Sequence, residues 1–125
     1  MDFDKITSPD GKMRIIQESV PGKQITLSHI IANPDPLLYR KLGLDPSVEY
    51  SATAIGIMTI CPSETAIIAA DICMKASGAR LGFVDRFSGT VIITGTVSEV
   101  EAALCAVNEY AGKKLGYAVC EVTKT

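Results

Sequence analysis

The residues of this chain that could carry chemistry are few and lie far apart in the sequence. Its single histidine, His29, lies in an apolar segment that alternates like a strand, and no motif places a serine, cysteine or aspartate beside it. A general base needs an acceptor that orients its ring and a cleft that admits the substrate. We therefore expect His29 to be a half-exposed strand residue.

The four cysteines do not have the spacing of a metal site. They stand at positions 61, 73, 105 and 120, so there is no CxxC pair, and only one histidine could complete a zinc site. Cys73 and Cys105 fall in helical patterns, where they replace alanine as small apolar side chains. Cys61 differs because it ends a strand pattern just before Pro62. From these spacings we expect neither a metal nor another cofactor.

No candidate group has a catalytic partner. Asp71 lies in an apolar helical run and is expected to be a partly buried carboxylate that pairs with Lys75, one turn later. The glycines at positions 78, 82 and 89 have neither P-loop nor dinucleotide-binding spacing. The sequence therefore predicts a protein that is not an enzyme.

The composition argues against several classes of protein. Hydrophobic residues make up 47% of the 125 positions and charged residues 21%, which indicates a folded domain. The formal net charge of −2 gives no basic surface for nucleic acid, and the apolar runs are too short to span a membrane. The acidic N-terminus lacks the apolar core of a signal peptide, so we expect a cytoplasmic protein.

Turn and cap signals divide the chain into short elements. Residues 1–11, which end in a Ser-Pro-Asp-Gly turn, predict a flexible arm, and residues 12–125 predict a single domain. The expected strands are Lys12–Val20, Gln24–Ala32, Ala54–Ile60, Arg80–Val84, Thr90–Thr94 and Tyr117–Thr123. The expected helices are Leu37–Leu42, Ser63–Ala76 and Ser98–Lys114.

The helix starts and the buried helix faces can also be predicted. We expect Asp35 and Ser63 to cap the first two helices, and Ser98 and Glu101 to form a capping box on the third. Both long helices carry apolar stripes that would pack on the sheet. In the second helix these are Ile67, Ala70 and Met74 with Ile68 and Ile72 beside them, and in the third Val100, Leu104, Val107 and Ala111.

The order of elements from residue 54 is strand–helix–strand–strand–helix–strand, which indicates an α+β fold of the ferredoxin-like, split βαβ type. The turn Asp85–Gly89 between the two middle strands carries the only clustered polar chemistry in the middle of the chain. On this evidence alone, a small ligand-binding regulatory domain would look much the same.

Several segments carry a resemblance to a known family. Arg14–Gln24, Thr26–Ala32, Ala54–Thr59, Pro62–Glu64 and Gly82–Gly89 resemble circularly permuted bacterial microcompartment shell proteins, such as those of ethanolamine, propanediol and choline utilisation compartments. The likeness extends from about Arg14 to Thr125. It implies a cyclic homohexamer that tiles a shell together with other shell proteins, inside a microcompartment in the cytoplasm. It also implies that a strand and a short helix that end the ordinary fold have moved to the front.

The resemblance assigns roles to three groups of residues. The turn would line a pore on the six-fold axis with Asp85, Arg86, Phe87, Ser88 and Gly89. Strands from six chains would cap that pore as a small barrel, built from Arg14, Ile15, Ile16, Gln17, Glu18, Ser19 and Val20. Lys75 would lie at the edge where hexamers meet.

The sequence departs from the ordinary family pattern at three places. Gly78 stands where an asparagine is usual, and Asn33 stands where a basic residue is usual, so a bent hexamer remains an alternative to a flat one. Cys61 replaces a residue that is typically threonine. An iron–sulfur cluster held by six symmetric copies of Cys61 is therefore a further alternative.

Overall fold

The computed structural model describes residues 22–45 and 53–125. The predicted arm 1–11 and the predicted capping strand Arg14–Val20 lie outside these residues. The described part contains five strands and three helices, in the order β1 (Gln24–Ile31), α1 (Pro36–Lys41), β2 (Ala54–Cys61), α2 (Thr65–Ala76), β3 (Arg80–Asp85), β4 (Thr90–Gly95), α3 (Val97–Lys114) and β5 (Thr123–Lys124).

The strands form one sheet in the order β3-β4-β2-β1-β5. The pairs β3–β4, β4–β2 and β2–β1 are antiparallel, while β5 runs parallel to β1. The position beside β2, which a split βαβ fold gives to its last strand, is therefore taken by β1 from the front of the chain. This placement agrees with the permutation implied by the family resemblance.

The predicted last strand, Tyr117–Thr123, is wrong for most of its length. Only Thr123–Lys124 is a strand, and an isolated bridge joins Ala118 to Gln24 at the other end of β1. Between them, the Cys120 carbonyl accepts a 2.7 Å hydrogen bond from the Asn108 side-chain amide of α3 instead of a ladder bond. Because β1 already fills the inner position, this segment is left at the edge of the sheet.

The two faces of the sheet are covered to different extents. Helices α2 and α3 pack on one face over the main core, whose fully buried side chains include Met58, Ile93 and Leu104. On the other face, α1 and the residues after it bury a smaller cluster made of Tyr39, Leu44, Ile55 and Ile92. The Tyr39 hydroxyl donates to the Thr53 carbonyl.

Gly56 in β2 allows α3 to approach the sheet closely. A Cβ at this position would lie 2.6 Å from Cγ1 of Val100 and 2.9 Å from Cγ1 of Ile93. A real Cβ cannot come so near another carbon, so any larger residue would push the helix away.

One of the three predicted helix caps is confirmed. The Asp35 side chain accepts from the Leu37 N–H at 2.9 Å, but the capping box of α3 is Thr96 and Glu99 rather than Ser98 and Glu101. The cap of α3 lies two residues earlier than predicted because β4 ends at Gly95 and the chain turns at once. The prediction for Ser63 is also wrong, since Glu64 occupies the cap position of α2 and makes no side-chain capping bond.

The predicted burial of α2 is also largely wrong. Its buried side chains are Thr65, Ala66, Ala69, Ala70 and Cys73. Ile67, Ile68 and Met74, which belong to the predicted stripes, are 52%, 47% and 50% exposed. Small residues face α3 and the sheet because the two helices pack closely, and this leaves the long aliphatic side chains pointing outward. Within the described ranges, no helix has the length and apolar character needed to cross a bilayer.

Candidate functional site

The turn between β3 and β4 is organised by one carboxylate. Asp85 Oδ1 accepts from the Phe87 N–H and Oδ2 accepts from the Ser88 hydroxyl, both at 2.9 Å. These bonds hold the pKa of the Asp85 carboxyl below its ordinary value, because they stabilise the ionised form. The carboxylate therefore stays charged while both of its oxygens are engaged within the turn.

Gly89 attaches the turn to the rest of the sheet. Its N–H donates to the Asp85 carbonyl and its own carbonyl accepts from the Ile60 N–H, both at 2.9 Å. Its φ of +78° is one that L-residues with side chains rarely adopt, and a Cβ there would collide with the Ile60 carbonyl oxygen. The glycine is thus required both by its backbone angle and by the close approach of β2.

The outward side of the turn carries an arginine and an aromatic ring. Phe87 is 79% exposed, and Cζ of Arg86 lies 4.9 Å from the centroid of its ring. A guanidinium at this distance over a ring face makes a weak cation–π contact at an exposed site. Since the Asp85 oxygens are engaged internally, Arg86 and Phe87 are what the turn presents to its surroundings.

A row of hydroxyl groups extends from the turn across the sheet. The hydroxyl oxygens of Ser88 and Thr90 are 3.0 Å apart, and Thr90 is the register partner of Thr59. The hydroxyls of Thr59 and Thr26 are 2.6 Å apart and share a hydrogen bond. The sequence reasoning missed Thr26, Thr59 and Thr90, because only the pairing of three separate strands aligns them.

The first described range, residues 22–45, starts close to this turn. Gln24, the first residue of β1, is the register partner of Cys61, whose neighbour Ile60 bonds to Gly89. Any chain that precedes β1 therefore enters the domain at the turn end of the sheet. The predicted capping residues Arg14–Val20 lie outside the described residues.

Lys75 lies far from the turn, near the other end of α2. Its ammonium is 2.9 Å from Asp71 Oδ2, and the two side chains are 77% and 56% exposed. The hydrogen bond and the charge of Asp71 raise the pKa of Lys75. The predicted pairing is confirmed, but Asp71 is exposed rather than partly buried.

The other residues that could carry chemistry, His29 and the cysteines, do not form a common site. His29 is half-buried, as predicted, and its two ring nitrogens contact the hydroxyls of Thr123 at 2.6 Å and Thr125 at 2.9 Å. Cys61 and Cys105 are exposed thiols, and burial raises the pKa of Cys73 to about 12. Among the residues that the structure describes, no group of three or more His, Cys, Asp or Glu side chains could hold a metal ion.

Comparison with known proteins identifies the family. A sequence model of the BMC domain matches residues 54–123, from β2 into β5. The chain belongs to the BMC-domain family. The matched region begins at β2, so β1 and α1 precede it.

Curated relatives share about half of their residues with this BMC-domain protein. The bacterial microcompartment shell protein PduU of Salmonella typhimurium is 51% identical over 112 residues, which cover 90% of this chain and 93% of PduU. The shell protein EutS of the same organism is 51% identical over 114 residues, covering 91% and 98% of the two chains. These relatives are shell proteins, so the alternative of a regulatory domain finds no support.

Solved structures of one relative have the same fold. A CutR flat hexamer is 47% identical, covers 90% of this chain and 99% of its own, and superposes with a TM-score of 0.77. A CutR screw with a 41.9 Å pitch is 45% identical, covers 84% of this chain and 100% of its own, and gives a TM-score of 0.74. The same subunit fold is thus found in two different kinds of assembly.

Proposed function

We propose that this protein forms cyclic hexamers that tile, together with other shell proteins, the shell of a bacterial microcompartment in the cytoplasm. In this proposal the turns Asp85–Gly89 of six copies surround the opening on the six-fold axis. The proposed role is structural, and no residue is given a catalytic role. The domain that builds the hexamer extends over residues 12–125.

The observation that carries the proposal is the apolar surface beside the turn. Ile67 and Ile68 on α2 and Leu81 on β3 are 37–52% exposed. Helix α2 begins beside the turn and β3 ends in it, so this surface leads to Asp85. A ring closes when one surface of each copy packs on a different surface of the next. A ring that buries this flank would bring the six turns together.

The geometry of the turn suits the rim of a shared opening. The Asp85 bonds and Gly89 fix the backbone, so six copies would present the same shape. The groups facing inward would be Arg86 and Phe87, which combine a positive charge and an aromatic ring. Such a rim would narrow the opening with side chains held on a rigid base.

The position at which the chain enters β1 supports the proposed cap. Because Gln24 lies next to Cys61, the residues before it start at the turn end of each subunit. Six copies of Arg14–Val20 would then rise around the axis, where their strands could pair into a barrel.

We propose that Lys75 contacts the neighbouring hexamer. It is exposed at the end of α2 opposite the turn, and its partner Asp71 is exposed too. Exposed ion pairs contribute little to stability, so Lys75 can exchange Asp71 for a group across the edge at small cost. Asn33 and Gly78, which differ from the residues usual in the family, would change the contacts between the edges of neighbouring hexamers.

The molar mass in solution tests the ring. One chain has a mass of 13.3 kDa, so six copies give about 80 kDa by light scattering. We expect Ile68→Glu, which places a charge on the proposed interface, to lower the mass toward that of one chain. Leu37→Glu is a matched control, since Leu37 is 48% exposed on α1, away from α2. A wild-type monomer or dimer, or equal effects of the two variants, would contradict the proposal.

A further inference from the structure

The second face of the sheet, on the side of α1, loses its cover toward the turn. In the cross-strand row farthest from the turn, Ile55 and its register partner Thr94 are buried. In the middle row Ile92 is buried, but Phe83, which pairs with it from β3, is 44% exposed. In the row at the turn, Leu27 on β1 is 41% exposed. Within the described ranges, α1 and the residues after it therefore cover only the end of this face that lies away from the turn.

The uncovered part, which we call the turn-end face, consists of side chains from four strands: Leu27, Ile57, Thr59, Phe83 and Thr90. Its polar groups have partners inside the chain. The Thr59 hydroxyl shares a 2.6 Å hydrogen bond with Thr26, and the Thr90 hydroxyl lies 3.0 Å from that of Ser88. At the border, both ring nitrogens of His29 contact threonine hydroxyls. Polar groups that are hydrogen-bonded within the chain can be buried under another surface without losing a partner.

The turn-end face lacks the second layer that its side chains need. The open side of an antiparallel sheet normally carries polar side chains toward water, and a covered side carries apolar ones. Here the open side carries the exposed side chains of Phe83 and Leu27 beside the half-buried Ile57. Exposed apolar patches on a folded domain mark contacts with other molecules. The missing cover is therefore expected to come from another chain.

The surface that suits this face is the apolar flank made of Ile67, Ile68 and Leu81. A bulge in β3 shifts the register between Leu81 and Phe83, so that the two side chains lie on opposite faces of the same edge strand. The flank and the turn-end face are thus different surfaces, and both extend to the turn. Contact between two different surfaces produces a ring, whereas contact of the turn-end face with its own copy would close at two chains.

We infer that the flank of one copy packs on the turn-end face of the next copy, with Ile67 and Ile68 over Leu27, Ile57 and Phe83. The inference rests on the proposed ring, and it names the surface that receives the flank. Helix α2 of the neighbouring copy then supplies the layer that α1 does not provide. Because both surfaces end at the turn, each contact of this kind brings two turns side by side.

Photo-cross-linking tests the contact directly. A chain in which p-benzoylphenylalanine replaces Phe83 is co-expressed with an excess of unlabelled chain, and the linked peptides are identified by mass spectrometry. We expect the label to join residues 64–76 of an unlabelled chain. Links to another segment, links only within one chain, or no link would overturn the inference. The same label in place of Tyr110, on the outer surface of α3, is the matched control, and equal yields between chains at the two positions would also overturn it.

The direction of the contact can be tested in the same mixture. Ile68→Glu on the unlabelled chain alters the flank that the labelled face receives. It should lower the yield roughly tenfold or more, because it would bury an unpaired charge. The same substitution on the labelled chain alone leaves the labelled face and the unlabelled flank intact, so the yield should not change. Equal losses in the two mixtures would overturn the inference.

Light scattering separates this inference from the ring itself. Leu27→Glu places a charge on the turn-end face and should lower the molar mass from that of six chains toward 13.3 kDa. Val119→Glu is the matched control and should keep the mass, since Val119 is 46% exposed but lies beside Gly112 of α3, outside both surfaces. A ring mass for Leu27→Glu, with a native circular dichroism spectrum, would overturn the inference and leave the proposed function standing. Wild-type protein without a ring mass would contradict both.

Discussion

The two long helices lie side by side on one face of the sheet but bury opposite kinds of side chain. Helix α3 buries Val100, Leu104 and Val107, and most of its outer positions are polar or charged. Helix α2 buries mainly alanines, and Ile67, Ile68 and Met74 remain about half exposed. The difference indicates that α3 contributes most of the large side chains to the core of the single chain, whereas α2 leaves its large apolar side chains on the surface. Substitutions and thiol chemistry in the two helices test this contrast.

The largest expected difference is in thiol reactivity, because each helix carries one cysteine. Cys73 on α2 is buried, which raises its pKa to about 12, while Cys105 on α3 is exposed. A rise from an ordinary value near 9 lowers the thiolate fraction of Cys73 roughly a thousandfold. We expect iodoacetamide at pH 8 to modify Cys105 and leave Cys73 unmodified in the native protein. Peptide mass spectrometry over time measures both rates, and similar rates would show that α2 does not stay packed.

Leu104→Ala should destabilise the fold by about 2–5 kcal/mol, because Leu104 is 1% exposed and the substitution opens a cavity in the core. Ile67→Ala on α2 should change the free energy of unfolding of the separate chain by less than about 1 kcal/mol. Urea unfolding measures both values, at one protein concentration, because assembly raises apparent stability. A large loss for Ile67→Ala in a variant that stays monomeric would remove the contrast between the helices.

Gly56→Ala should cost about 1–3 kcal/mol, because the new methyl group would lie 2.6 Å from Val100 and displace α3. Gly112→Ala is the matched control on α3 itself. There the added Cβ would meet Val119 at 3.5 Å, an ordinary contact, and alanine favours the helix by up to about 1 kcal/mol. An equal change in the free energy of unfolding for the two substitutions, measured in urea, would contradict the close packing of α3 on Gly56.

The smallest expected effects distinguish the helix starts. Thr96→Ala removes the capping box of α3 and should cost about 0.5–2 kcal/mol. Ser98→Ala and Ser63→Ala, at the two positions predicted from the sequence, should each stay within about 0.5 kcal/mol. Thermal unfolding of the three variants under identical conditions gives the comparison. A greater loss for Ser98→Ala than for Thr96→Ala would contradict the observed cap.

Local signals in the sequence were sufficient for the turns and for most of the elements. Asp35 capped its helix as predicted, and the turn at Gly89 lies between two strands whose observed bounds differ from the predicted ones by a single residue. These features depend on a few consecutive residues, so their chemistry can be read directly. The likeness to shell proteins added the permutation, which periodicity alone did not give.

The errors arose where distant parts of the chain compete. Tyr117–Thr123 alternates like a strand, but the place beside β2 belongs to β1, which lies about 90 residues earlier in the sequence. The stripe of Ile67 and Met74 is apolar whether it faces a core or another copy, so its pattern cannot tell the two apart. The row of Thr26, Thr59 and Thr90 exists only through strand register.

The position of β1 has a consequence for synthesis of the protein. The residues that pair with the outer edge of β1 are the last to be synthesised. The hydrogen-bond partner of His29 in that segment, Thr123, lies 94 positions later in the sequence. A nascent chain on the ribosome can pair β1 with β2 early, yet it must leave the opposite edge of β1 open until residues 118–125 have been translated. During that interval, neighbouring nascent chains on one messenger RNA present the same open edge to each other.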